Sequence, residues 1–280
     1  MTLRRGPLVL LSPAFGVFAV CFVLPAAYFF VVSFWQVRSY RLVKETTAEN
    51  YLRVFTDYSG PLLDTLVLAF IVATTVTGFA FFYVYLCRFK AGRFAPLLLF
   101  AAMLTLFGGY LTKIYMWRTI LGDSGILNAS LITAGLIEEP ISVFLFNPVA
   151  VVITLGHYLV PFAILPLYGV MHAIRDDPLE AARDLGASRW HVFRHIVLPQ
   201  CRTGIVAAFT LTFLFTSGDF ATARLVGGPD ASLFGVFVQG QFTQRLNQPM
   251  GAAMAFTMLA CCLVVVSAVA LGVRRAVAYR

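Results

Sequence analysis

Six long apolar runs separated by short polar stretches divide the chain, at about 8–35, 62–86, 96–121, 148–171, 203–220 and 250–273. Each approaches or exceeds the roughly 20 apolar residues that an α-helix needs to cross a bilayer. The pattern predicts an all-α membrane protein, a single transmembrane domain over 1–280 with six spans and both termini cytoplasmic. The first run is too long for the apolar region of a signal peptide and shows no clear cleavage site, so it is expected to be retained. In the second run Ala69, Ala73 and Thr77 form a small-residue stripe suited to close helix packing. The third contains Gly108-Gly109 and two cations, Lys113 and Arg118, and the fourth carries Pro161 and Pro166, which should kink it. A polar loop is expected at 38–60, short interfacial helices within 122–147, and an amphipathic stretch at 234–242.

Composition agrees with the pattern: 60% of residues are hydrophobic, 12% are charged, and the mean hydropathy is +0.84. A soluble domain carries about 25% charged residues. The net charge of +8 would suggest a nucleic-acid partner if it were spread evenly, but it is not. With both termini inside, 13 of the 21 Lys/Arg fall on the cytoplasmic side, Arg4, Arg5, Arg88, Arg274, Arg275 and Arg280 among them, against 4 of the 13 acids. That asymmetry is the orienting signal of a membrane protein, so lipid is the expected surrounding and no nucleic acid is expected. The five cysteines show no C-x-x-C pair, lie mostly inside apolar runs and read as small hydrophobes.

One polar stretch, 176–199, has folding signals of its own. Asp177 is a candidate N-cap, Pro178 suits the first helical position, and Glu180 would complete a capping box. Gly186 suits the left-handed residue that ends a short helix, and Ser188 can cap a second one. In that second helix Trp190, Phe193 and Val197 are spaced to share one apolar face, and Pro199 should end it. A helix–glycine–helix knob on a membrane protein suits docking to something in the water phase.

Glu180-Ala181-Ala182, Gly186 and then Ile196, Leu198 and Pro199 resemble the EAA loop of binding-protein-dependent ABC importer permeases. The resemblance implies a type I ABC importer permease fold in a bacterial inner membrane. The loop, about 175–200, would be the coupling element seated on a cytoplasmic ATPase, with Glu180, Ala181, Ala182, Gly186, Ser188, Trp190, Phe193 and Pro199 at the contact. It also implies two ATPase subunits holding ATP and Mg, a second permease, identical or related, and a periplasmic substrate-binding protein. No cofactor is expected in this chain.

Catalytic readings fail on residue type and spacing. No G-x-x-x-x-G-K-[ST] occurs, and none of the three lysines follows a glycine, so ATP chemistry belongs to a partner. Gly122-Asp123-Ser124-Gly125 reads as a turn, because nothing places a base beside the serine. His191 and His195 are four apart, but the glutamate of a zinc-protease motif is missing, so a solvated or partner-facing surface explains them. No catalytic residue and no metal site are expected. A secondary transporter would use buried charges for ion coupling without needing a glycine-hinged docking loop.

The intramembrane charges carry more. Asp219 ends the fifth run and Lys113 lies within the third. Charges at such depth face a cavity, a partner charge or a pathway. One structural reading pairs Asp219 with Lys113 or Arg118; the functional one makes Asp219, Lys113, Tyr110, Tyr115, Trp117 and Phe220 candidates for the substrate pathway, with Tyr115 and Trp117 also suited to the interface. The stretches 111–117, 121–128 and Gly218-Asp219-Phe220 with Gly227-Gly228-Pro229-Asp230, and the early Glu49-Asn50-Tyr51, look like spermidine/putrescine permeases of the PotB type. Three departures stand out: Lys113 replaces a common arginine, Ser124 an asparagine, and Asp64-Thr65-Leu66 an Asn-Thr-Leu. The resemblance thus implies a polyamine cargo, with ferric iron, thiamine or a phosphonate as alternatives in the same class.

Overall fold

The computed structural model describes residues 6–38, 41–228, 231 and 233–276. Arg4, Arg5, Pro229, Asp230 and Arg280 lie outside the described residues. The chain is mostly helical, and its described residues up to Ser59 with Phe237–Leu259 form one compact unit, while Gly60–Val236 with those from Ala260 on form another.

In the first unit the leading apolar run is α1 (Gly6–Phe18), a π turn and α2 (Leu24–Val32), of which Leu11–Val32 is long and apolar enough to span. The stretch expected to be a plain polar loop is built. It holds a hairpin of β1 (Gln36–Arg38) and β2 (Arg41–Val43), then α3 (Glu49–Asp57). Asn50 explains the join: its buried side-chain amide donates to the carbonyls of Ser33 (2.9 Å) and Trp35 (2.7 Å), groups that the end of α2 leaves without helical partners. Tyr51 meets Ser33 at 2.7 Å, and Glu49 accepts from Gln36. Later residues of this unit pack on the same part: Gln241 and Arg245 both donate to the Tyr58 hydroxyl, and Phe256 meets Phe30 edge-on.

The second unit is built around α4 (Ser59–Phe89) and the helices that follow. The predicted small-residue stripe is buried: Ala69, Ala73 and Thr77 face inward with Val72, Val76 and Ala80. The third run is not one straight span. It divides into α5 (Ala95–Leu104), a 3-10 turn, and α6 (Tyr110–Leu121), and the segments Gly92–Phe107 and Tyr110–Thr133 meet at 98°. The break falls on Gly108-Gly109, both in extended conformations, where no Cβ opposes the turn. Beyond it α7 (Ile126–Thr133) and a 3-10 turn supply the expected short helices, joined by Asn128, whose buried side chain pairs both ways with Ile141.

The central element is α8 (Pro148–His172), capped by Asn147 and continuous through Pro161 and Pro166. Leu155, Leu159, Ala163 and Leu167 bury one face of it completely. After the docking stretch, α9 (Asp177–Asp184), α10 (Arg189–Val192), a π turn (Phe193–Val197) and α11 (Leu198–Gln200) precede α12 (Arg202–Ser217). The segment Arg189–Gln200 meets α12 at 61°. Helix α12 lies against α8 so closely that a Cβ on Gly204 would sit 3.0 Å from the Pro166 carbonyl and 2.4 Å from Val170. Such spacing requires glycine and gives the backbone-close packing that membrane helices favour. A π turn (Ala223–Gly227), α13 (Phe234–Thr243) and α14 (Gln248–Ala276) complete the chain. Among the described residues four helices are long and apolar enough to span, and up to six spans result if each bent pair crosses as one.

Candidate functional site

Two regions gather the residues singled out above. The first is the docking knob. Helix α9 ends in a complete Schellman motif: the N–H of Gly186 donates to Arg183 (2.8 Å) and that of Ala187 to Ala182 (3.0 Å). Gly186 takes φ +81°, the left-handed conformation the motif requires, with open space around its Cα. Ala182 and Ala187, half-buried, both pack against the hydrophobic core. Ser188 caps α10 by accepting from the His191 N–H at 3.2 Å.

Three local expectations need correction. Asp177 is the first residue of α9, not its cap; it pairs with Arg175 at 2.5 Å, and Asp176 precedes the helix without a side-chain cap bond. A charged neighbour two residues away outcompeted the capping geometry, so no capping box forms with Glu180, and Pro178 stands one place later than the first turn predicts. Trp190 does not share a face with Val197. The π turn at Phe193–Val197 inserts an extra residue, so Val192 and Val197 are buried, Phe193 is half-buried, and Trp190 stacks on Phe193 while remaining 66% exposed. Pro199 does not end the helix; it is buried inside α11, and the break comes at Cys201.

The knob's outer surface carries Glu180, Ala181, Leu185 and Trp190, and Leu185 is 89% exposed beside Gly186. Leu185 and Trp190 are thus both left bare beside the Gly186 turn. Arg88, which sequence reading treated only as a topology signal, anchors the knob: its guanidinium donates to the Ile174 carbonyl (3.2 Å) and to Asp176 (2.6 Å). The end of α4 and the start of the docking stretch therefore lie on the same side. His191 and His195 stack at 4.0 Å.

The second region lies within the helices. Asp219 is 5% exposed; its carboxylate accepts the Tyr110 O–H and faces the backbone N–H groups of Thr222 and Ala223, each at 3.4 Å. Thr222 also meets the Tyr110 oxygen at 2.8 Å. The expected ion pairs with Lys113 or Arg118 are absent among the described residues. A phenol one helix away satisfies the carboxylate instead. The Tyr110 ring packs on Tyr158 (4.9 Å) and Phe215 (5.5 Å), and Tyr158 continues to Phe162. Lys113 is 4% exposed, its ammonium finds no hydrogen-bond partner among the described residues, and it stands over the Tyr158 ring at 5.2 Å. Trp117 meets His157 edge-on at 5.7 Å. The structure thus brings Tyr110, Lys113 and Asp219 into one aromatic–acidic cluster. Tyr115 and Phe220 project outward, exposed, and join none of its contacts. Tyr158, Phe215 and Thr222 were missed by the sequence reading; the one local signal was the i, i+4 spacing of Tyr158 and Phe162.

These arrangements can be set beside known proteins. Residues 65–278 match the family model described as "Binding-protein-dependent transport system inner membrane component". The chain is 35% identical over 215 residues to the spermidine/putrescine transport system permease protein PotB of Escherichia coli K12, covering 76% of this chain and 77% of that protein. It is 34% identical over 210 residues to PotB of Haemophilus influenzae, covering 75% and 73%. It is 32% identical over 200 residues to the inner membrane ABC transporter permease YdcU of E. coli K12, covering 68% and 63%. A chain in the crystal structure of a bacterial alginate ABC transporter, in complex with an alginate pentasaccharide-bound periplasmic protein, shares the fold with a TM-score of 0.73 at 16% identity, over 97% of this chain and 95% of that one. The chain therefore belongs to the binding-protein-dependent transport system inner membrane components, as a permease subunit of an ABC importer.

Proposed function

We propose that this permease forms half of the pathway through which a polyamine, spermidine or putrescine, enters the cell. Two ATPase subunits, holding ATP and Mg, dock on the knob of this chain and of a second permease, and the binding protein delivers cargo from the periplasm. Coupling falls to Glu180, Ala181, Ala182, Gly186, Ser188, Trp190, Phe193 and Pro199. Closure of the ATPases pushes on a short, doubly capped element anchored to α4 by Arg88, and the spans rock in response.

The buried Asp219 carboxylate, set among Tyr110, Tyr158 and Phe215, is the observation that carries the cargo reading. A polyamine is a flexible polycation, and a carboxylate flanked by aromatic faces offers it charge and cation–π attraction without deep trapping. The Lys113 ammonium over Tyr158 supports this, since an aromatic face here already accommodates an alkylammonium. The names of the PotB relatives point the same way.

The test is ATP hydrolysis by the reconstituted complex with its binding protein. Stimulation by spermidine or putrescine is expected. Stimulation by ferric iron, thiamine or a phosphonate instead would replace the cargo, and a complex that assembles no ATPase would remove the coupling role.

A further inference from the structure

A groove of about 360 Å³ opens between the end of α4 and the docking helices. Its floor is apolar and aromatic, with Tyr85, Phe193 and the buried Leu179. Its rim carries Lys90, Arg183 and Arg189, and no acidic residue lines it. The acids that begin the docking stretch are already used, Asp176 by Arg88 and Asp177 by Arg175. Glu180 and Asp184 share α9 with Arg183 but are not in the lining. Among the described residues Lys90, Arg183 and Arg189 form no ion pair. Three cations from three elements thus converge over an apolar floor, directly beyond the end of a membrane span.

We propose that this groove holds the headgroup of an anionic phospholipid of the cytoplasmic leaflet. The phosphodiester sits among Lys90, Arg183 and Arg189, and the glycerol and first acyl carbons lie over Tyr85 and Phe193. Free phosphate would use the rim alone; a lipid uses both rim and floor, and the groove lies at the end of the candidate span α4, where basic pockets meet anionic headgroups. Arg183 and Arg189 flank Gly186, so a bound phosphate ties both docking helices to the end of α4. That consequence for transport rests on the coupling role proposed above; binding itself does not.

The experiment measures lipid retention by the purified full chain in native mass spectrometry, comparing phosphatidylglycerol with phosphatidylcholine of the same acyl chains. The chain should retain phosphatidylglycerol about tenfold better, and K90Q/R183Q/R189Q should lose that preference. The charge-keeping K90R/R183K/R189K should preserve it, which separates charge loss from misfolding. Equal retention of the two lipids, or an undiminished preference in the glutamine variant, overturns the proposal. Displacement of the lipid by millimolar inorganic phosphate also overturns it, by making the groove a phosphate site. Loss of the ATPase from the glutamine variant in purely zwitterionic lipid assigns the cations to the ATPase interface and likewise ends the lipid reading. Retention needs no ATPase, so failure of the coupling role would leave its result intact.

Discussion

The docking knob and the aromatic–acidic cluster are both polar insertions in an apolar chain, yet they are held in opposite ways. The knob closes on itself: Gly186 to Arg183, Ala187 to Ala182, and Ser188 to His191 are bonds across three to five residues. Its apolar residues Leu185 and Trp190 are left outside. In the cluster, Tyr110 reaches Asp219 across 109 residues and Thr222 across 112, while nothing local satisfies Lys113. Local closure makes a part that can be pushed as a rigid body. Non-local closure makes a part whose geometry changes whenever its helices move.

Breaking the knob should have the largest effect. Gly186→Val forces a β-branched residue into φ +81°, at a cost of about 1–2 kcal/mol or a rearranged turn. Uptake should fall at least about tenfold, with ATP hydrolysis uncoupled or the ATPase lost; normal uptake would remove the coupling assignment.

The cluster comes next. Asp219→Asn and Tyr110→Phe should each lower uptake about tenfold in a complex that still assembles, since a hydrogen bond to a charged group contributes about 1.5–3 kcal/mol. Because the two residues share one contact, their combined loss should be smaller than the product of the single ones. Multiplicative losses in transport assays would show that the pair does not act as a unit.

Lys113→Met should then separate structure from pathway. Removing a buried ammonium without a hydrogen-bond acceptor should raise the unfolding temperature by about 2–4 °C, with uptake changed by no more than about twofold. A large fall in uptake would make the ammonium itself part of the pathway.

The smallest expected effect belongs to Ser188→Ala. Losing this exposed cap should cost about 1 kcal/mol in thermal unfolding, with uptake reduced about twofold. No change in either would mean that the knob is held by the Schellman turn and Arg88 alone.

Legibility followed the range of the interactions. The spans, the buried Ala69–Ala73–Thr77 stripe, the left-handed Gly186 and the Ser188 cap were readable because each depends on hydropathy or on neighbours within one turn. The failures arose where a competing contact changed a local rule. Arg175 drew Asp177 away from capping, and the π turn at Phe193–Val197 rotated Trp190 out of the predicted face. Gly108-Gly109 was visible, but the 98° bend it permits was not, since a glycine pair allows a turn without dictating one.

By itself, then, the sequence determined that this chain crosses a membrane, how its cations are distributed along it, and where it carries a short knob with a glycine turn and a serine cap. Burial of apolar runs, charge asymmetry and capping are written in residue order. Only the tertiary structure decided that Asp219 bonds Tyr110 and not Lys113 or Arg118, that Lys113 rests on Tyr158, and that Arg88 anchors the knob. A buried polar group takes whichever partner the packed helices bring within hydrogen-bonding distance, and that choice is made by helix packing far along the chain.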